Sequence, residues 1–226
     1  MKRKEILLNM KDELRLVDTA DDDHAFYSAE TPIKADAFVL SDAEKIVRIA
    51  HYFGEIMDTL GLDLTDDSLK GTPRRVAKMY VEEIFSGLNP ENLPAATLFE
   101  NKFNYREMLV QKNITLKSMC EHHFVPIEGV VHIAYISKGY VIGLSKMNRI
   151  VQYFAKRPQV QERLTIQIAD ELKRVLKTDD VAVMIDASHK CVSMRGVEDE
   201  ASSTITSSNH GKFKKESKRN EFLKQL

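Results

Sequence analysis

Ile114-Thr115-Leu116-Lys117-Ser118-Met119-Cys120-Glu121-His122-His123 is the stretch from which the rest of the chain is read. Ile114, Leu116 and Ser118 alternate with Thr115 and Lys117, the period of a half-buried β-strand, and that strand runs straight into Cys-Glu-His-His. The chain has only two cysteines; the other, Cys191, stands two residues after His189 in Ser-His-Lys-Cys. The two segments together offer two thiolates and up to three imidazoles, the ligand set zinc prefers. A structural zinc site closes with four protein ligands, whereas a catalytic one keeps three and leaves a position for water. Histidines exceed what one metal needs, so some are available to move protons. The reading is a catalytic zinc centre.

Spacing narrows the ligands. Cys120 and His123, three apart, meet on one face of a helical turn or tight loop, and His122 then points elsewhere. If a strand continues through the second segment, His189 and Cys191 project from the same face. One set is Cys120, His123 and Cys191 with water fourth; a closed, structural set adds His189. Spacing leaves both open. His122 alone reads as an ordinary loop histidine and His189 as a satisfied sheet histidine, but each flanks a thiolate. His24, His51, His132 and His210 lack such company and are read as structural.

Outward from the motif, Val125 to Ile136 reads as a second strand with an irregularity at Gly129. Lys138-Gly139 makes a turn, and Val141 to Leu144 starts a return strand. Ser145 caps a helix holding Ile150, Val151 and Phe154. Arg157-Pro158 breaks it and opens another, striped by Val160, Leu164, Ile168, Leu172 and Val175. Val181 to Ile185 is a strand leading to the second metal segment, and Ala201 to Ser208 a further one. Upstream, Ser41 and Glu44 form a capping box before Ile46, Ile49, Ala50, Phe53, Met57 and Leu60 at helical spacing. Thr72-Pro73 starts a second helix, running to Gly87, with Thr72 as its cap. Asn89 to Asn104 is a connection. The organisation is a loosely ordered arm over 1–40, a helical region over 41–106 and an α+β domain with a mainly antiparallel sheet over 107–226, ending in a basic tail helix.

Composition excludes several classes. A net charge of −1 gives no global attraction to nucleic acid. Two cysteines 71 positions apart make no secreted disulfide framework. Ile6-Leu7-Leu8 is too short for a signal core or a membrane span, so the expected location is cytoplasmic.

Cations mark a polyanion site. Ser145-Lys146-x-x-Arg149 sits at a helix start, where backbone N–H groups, a hydroxyl and two cations suit a phosphate. Arg75 and Lys78 share a face at another helix start, and Arg195 follows Cys191 by four. The plain alternative is solvated charge, since 33 basic residues guarantee some clusters. Gln161-Glu162 opens the long helix. A carboxylate there can accept two hydrogen bonds from a guanine edge, or simply complement the helix dipole.

Assembled, these motifs resemble the GTP cyclohydrolase I family from about Ser41 to the C-terminus. The resemblance rests on Cys-Glu-His-His at 120–123, Gly-Leu-Ser-Lys-x-Asn-Arg at 143–149, Arg-Pro-Gln-Val-Gln-Glu-Arg-Leu at 157–164 and His-x-Cys-Val-x-x-Arg-Gly at 189–196. Thr-Pro-x-Arg-Val-Ala-Lys-Met-Tyr at 72–80 matches as well. It implies the tunnelling fold, an antiparallel sheet with two helices on one side preceded by a helical region. It implies one zinc per subunit on Cys120, His123 and Cys191, and toroidal decamers with active sites at subunit interfaces. The implied reaction converts GTP and water to formate and 7,8-dihydroneopterin triphosphate, with His122 as acid for ring opening and His189 protonating the ribose ring oxygen. Glu162, helped by Gln161, would hold guanine. Ser145, Lys146, Arg149, Arg195, Arg75 and Lys78 would hold the triphosphate. Neither a nucleic acid, a membrane nor a feedback regulatory protein is implied as partner. Rival readings are a tunnelling-fold nitrile reductase with a nucleophilic cysteine, and a zinc-stapled RNA-binding module.

Overall fold

The computed structural model describes residue 28 and residues 30–226. His24 and most of the expected arm over 1–40 lie outside them. From Ile33 to Leu226 the chain forms one compact unit.

Helix α1, Asp42–Thr59, starts as the capping box predicts. Glu44 N–H donates to the Ser41 hydroxyl, and Ser41 N–H donates to the Glu44 carboxylate at 2.8 Å. Only Ile46 and Met57 of its apolar stripe are buried. Helix α2, Thr72–Met79, is capped by Gly71, so Thr72 lies inside it and caps nothing. The expected continuous helix to Gly87 does not form. The chain widens into a π-turn over Tyr80–Ile84, with Phe85 N–H reaching back to Tyr80 C=O, and then tightens into a 3-10 turn over Ser86–Leu88. Gly87 is what the extra residue serves. Its N–H donates to Lys156 C=O at 3.0 Å, and its carbonyl accepts from Arg157 Nε at 2.8 Å.

The main sheet has the order β5-β2-β3-β6-β7, from β2 (Met108–Cys120), β3 (Pro126–Ile136), β5 (Pro158–Gln159), β6 (Val181–His189) and β7 (Thr204–Asn209). All neighbours are antiparallel except the short β5–β2 pair. Two expectations fail here. The irregularity lies on β2 between Gln111 and Ile114, where Asn113 has φ 59°, and the pairing runs unbroken through Gly129. The return strand β4 (Tyr140–Ile142) pairs not with β3 but with β1 (Leu98–Glu100), inside what reads as a connection.

Helices α3 (Leu144–Ala155) and α4 (Gln161–Leu176) cover one face of this sheet. Ile150, Val151, Leu164, Ile168 and Leu172 pack there against Leu116, Val131, Ile133, Val183 and Ile185, all fully or almost fully buried. Alternate sheet residues Ala134, Ile136 and Ala182 face the other way, where Phe213 and Phe222 close over them. Phe222 belongs to α6 (Glu216–Leu223), which follows a 3-10 turn over Gly211–Lys214, so the basic tail is docked by two aromatic rings. This is the expected α+β arrangement, an antiparallel sheet with two helices on one side. Among the described residues, no helix is long and apolar enough to cross a membrane.

Candidate metal centre

Strand register makes the site. Met119 pairs with Pro126 across the β2–β3 turn, and Ile127 pairs with His189 at the end of β6, so three chain segments meet at one end of the sheet. The turn is closed by Phe124 N–H to Cys120 C=O at 2.9 Å and Cys120 N–H to Val125 C=O at 2.8 Å, with Phe124 left-handed at φ 53°. Strand β6 stops at His189 instead of continuing. Lys190–Ser193 forms a short helical turn, α5, and it is this turn that delivers Cys191.

One ligand atom each from Cys120, His123 and Cys191 lies within 4.8 Å of the others. Around a tetrahedral zinc, with Zn–S and Zn–N bonds of about 2.3 and 2.1 Å, such atoms lie about 3.5–3.8 Å apart. The donors are thus within about 1 Å of that spacing, and two thiols with an imidazole are a set zinc takes. Burial, and next the Cys120 thiol beside it, push the Cys191 thiol up. A cation held between two thiols reverses that balance.

Two histidines flank the group without belonging to it. His122 Nδ1 lies 3.7 Å from Cys120 Sγ, and its Nε2 is 3.8 Å from a Glu121 carboxylate oxygen. His189 Nε2 lies 2.7 Å from Gln161 Oε1. The Gln161 amide nitrogen donates to the carbonyls of Ile185 and Thr204, which cannot donate, so the amide orientation is fixed and Oε1 must accept. His189 therefore carries its proton on Nε2 and turns Nδ1 away from this bond. Burial lowers its pKa, and the Glu162 carboxylate opposes that shift.

The remaining residues divide. Arg195 stands at the centre's edge, its Nη1 2.8 Å from His123 Nε2, a contact that metal binding by His123 would displace. Glu162 is exposed on the first turn of α4. Gln161 is buried, and both ends of its amide are engaged within the chain. Ser145, Lys146 and Arg149 lie on the first two turns of α3, where Gly143 and not Ser145 is the cap. Arg149 lines an open pocket of about 330 Å³ together with Ser86, Asn92, Gln152, Tyr153 and Lys156. Arg75 donates to Ser68 C=O and to the Thr72 hydroxyl, and Lys78 pairs with Glu82 at 3.7 Å. Among the described residues, no hydrogen bond or ion pair joins Ser145, Lys146, Arg149, Arg75 or Lys78 to Cys120, His123 or Cys191.

The family model for GTP cyclohydrolase I matches residues 49–226, which include every one of these positions. The chain belongs to the GTP cyclohydrolase I family. A protein of Flavobacterium johnsoniae named GTP cyclohydrolase 1 is 57% identical over 217 residues, 96% of this chain and 96% of that one. Another of that name from Vibrio vulnificus (strain YJ016) is 54% identical over 198 residues, 87% of this chain and 90% of that one. A solved structure, the archaeosine synthase QueF-Like in the apo form, overlaps 45% of this chain and 90% of its own at 15% identity, with a TM-score of 0.38.

The structure brings to the centre's side three residues to which motif reading gives no role. Glu121 contacts Arg163, which is 4% exposed, and Gln159 beside them is wholly buried. A buried arginine requires a partner, but nothing in the sequence tells which of 34 acids it takes.

Proposed function

We propose that the chain is a zinc-dependent GTP cyclohydrolase, hydrolysing GTP to formate and 7,8-dihydroneopterin triphosphate at the Cys120–His123–Cys191 centre. The observation that carries this is the convergence of two thiols and an imidazole, from two segments 71 positions apart, at one end of the sheet, with two further histidines next to them in sequence and outside the donor set. Zinc, when bound, supplies a water whose pKa falls from about 15.7 toward about 7 and a Lewis acid to hold it.

The chain's own residues do the rest. His122, next to Cys120, protonates guanine N7 and so makes C8 open to attack by water. His189, held by Gln161 through Nε2, presents Nδ1 to exchange a proton with the ribose ring oxygen. Imidazole suits both tasks because it titrates near neutral pH. The exposed Glu162 carboxylate accepts from guanine N1–H and N2–H₂, and its neighbour Gln161 contributes by fixing His189. Arg195 reaches the triphosphate from the edge of the centre. Ser145, Lys146, Arg149, Arg75 and Lys78 bind it in a neighbouring subunit, which fits a toroidal decamer with shared sites and explains why these residues touch no ligand residue of their own chain. The helical region over 41–106 and the catalytic domain over 107–226 then serve assembly and chemistry respectively, in the cytoplasm.

The test is a purified, metal-analysed sample incubated with GTP, followed by formate release and by pterin fluorescence after oxidation. Activity that is lost with a chelator and returns with zinc is expected. Zinc bound at one per chain without formate release would refute the reaction and leave the metal centre standing.

A further inference from the structure

Behind the Cys120–His123 turn runs a buried polar chain that none of the roles above uses. Arg163 lies in the first turns of α4 and points back toward the turn. Its Nη2 forms an ion pair with Glu121, its Nε donates to Gln159 Oε1 at 3.0 Å, and Nη2 also donates to Pro158 C=O at 3.2 Å. Gln159 is 0% exposed and is itself tied down, donating to Phe154 C=O at 2.9 Å and to Gln167 Oε1 at 3.0 Å. The main chain joins in. Glu121 N–H donates to Gln159 C=O at 3.1 Å, and Cys120 pairs with Gln159 in the parallel β2–β5 ladder. Glu121, between the two ligands of the motif, is thus gripped at its backbone by β5 and at its carboxylate by α4.

This grip has two consequences for a cation centre. A turn fixed at its middle residue holds Cys120 and His123 at a constant separation, which is what outer residues do for metal ligands generally. In addition, Glu121 is an oxygen donor one residue from a thiolate, with the negative charge that a metal's open position attracts. Arg163 neutralises that carboxylate and holds it in an ion pair, while the carboxylate's other oxygen lies 3.8 Å from His122 Nε2. We propose that Arg163, seated by Gln159, is a positioning residue for the metal centre: through Glu121 it fixes the turn bearing Cys120 and His123, and it withholds the Glu121 carboxylate from the metal. The proposal rests on the metal reading of Cys120, His123 and Cys191.

The test uses full-length protein in four forms: wild type, Arg163→Met, Arg163→Lys, and Arg163→Met combined with Glu121→Gln. Zinc affinity is measured by competition with a chromophoric chelator, coordination by the visible spectrum of the cobalt-loaded protein, and folding by the melt of metal-free protein. Arg163→Met should weaken zinc binding roughly 10–100-fold, the range for loss of such an outer partner, and should change the cobalt spectrum. Arg163→Lys keeps the charge without the fork and should lose less. The double variant removes the unpaired carboxylate and should recover affinity and the wild-type spectrum, which a purely packing role for Arg163 would not allow. Unchanged zinc affinity in both single variants would overturn the clamp, and so would a double variant no better than Arg163→Met. If Arg163→Met does not fold, Arg163→Lys and the double variant carry the comparison alone. A wild-type protein that binds no zinc would instead overturn the metal reading, and the clamp with it.

Discussion

Gly129 offers a test of whether strand packing sets the site. It lies on β3 opposite Leu116 of β2 and Ala187 of β6. A methyl group on its Cα would stand 2.1 Å from Asp186 C=O, 2.5 Å from Ala187 Cα and 2.7 Å from Ala187 Cβ. Non-bonded carbons pack at about 3.5–4.0 Å, so β6 would have to retreat by roughly 1 Å. The first two obstacles are main-chain atoms, and no side-chain rotation relieves them. Overpacking of this kind costs about 1–3 kcal/mol. At about 2–4 °C per kcal/mol for a chain of this size, Gly129→Ala should lower the melting temperature by roughly 2–12 °C. The strand that moves carries His189 two pairs further on and leads to Cys191, so zinc affinity should fall in the same variant.

Gly54→Ala supplies the opposite sign. That glycine is inside α1, and an added methyl would meet nothing closer than Pro73 Cγ at 3.8 Å. Removing the backbone freedom of a helical glycine should stabilise by about 0.5–1 kcal/mol. Calorimetric melts of metal-free protein with a zinc titration on each variant read both effects. A Gly129→Ala protein melting within about 1 °C of wild type, with unchanged zinc affinity, would refute the argument that β6 closes on Gly129 and holds the centre.

Three further outcomes are expected. Cys191→Ala should lose its zinc while His189→Ala retains it, read by elemental analysis; loss of zinc in both variants would favour the closed four-ligand set, and zinc kept in Cys191→Ala would remove Cys191 as a ligand. Glu162→Ala should weaken GTP binding roughly 10–100-fold, the loss of hydrogen bonds to a charged acceptor, and unchanged affinity by calorimetry would reduce Glu162 to an acid at a helix start. His132 is 6% exposed, and burial holds its pKa below the ordinary 6.5, with Asp186 opposing and Lys112 adding to the shift. The unfolded chain then takes up that proton first, so the stability concerned is complete above 6.5 and is lost as pH falls below it. His132→Gln should flatten the fall of urea midpoints on acidification, and parallel curves would remove His132 as a source of it.

Legibility in the sequence followed locality. The alternation of Ile114, Leu116 and Ser118, the stripe of α4 from Leu164 to Val175 and the Ser41–Glu44 cap are set by neighbours within a turn or two, and each appears where the pattern puts it. Val160, which reads as the start of that stripe, is instead the extended N-cap after the short strand β5. The cysteine and histidine motifs were legible because such residues are scarce. What failed depends on distant contact. The π-turn at Tyr80 exists because Gly87 must meet Lys156 and Arg157. The three-residue strand β1 has no room for a period, so the sequence hides the partner of β4 although β4 itself is legible. Gly129 read as an irregularity, but it is the place where β6 approaches too closely for any side chain. Whether strand continues to Cys191 stays open in the sequence, since two residues cannot reveal a change of period, and the segment is a helical turn.

Gln161 and Glu162 show how much of a polar site a stripe can still decide. The apolar positions Leu164 and Ile168 lie three and seven residues after Gln161, so Gln161 falls on the buried face of α4, and it is 1% exposed. Glu162 falls with Ile166, four on, which is 51% exposed. A buried amide must satisfy its donors and its acceptor within the protein, and the face onto which α4 packs at that end carries β6 and β7. Ile185, Thr204 and Thr206 take the donors, and His189 is left for the acceptor. Periodicity therefore separates two adjacent residues that chemistry alone treats as a pair: one is consumed in aiming a histidine, and the next is free to meet a substrate.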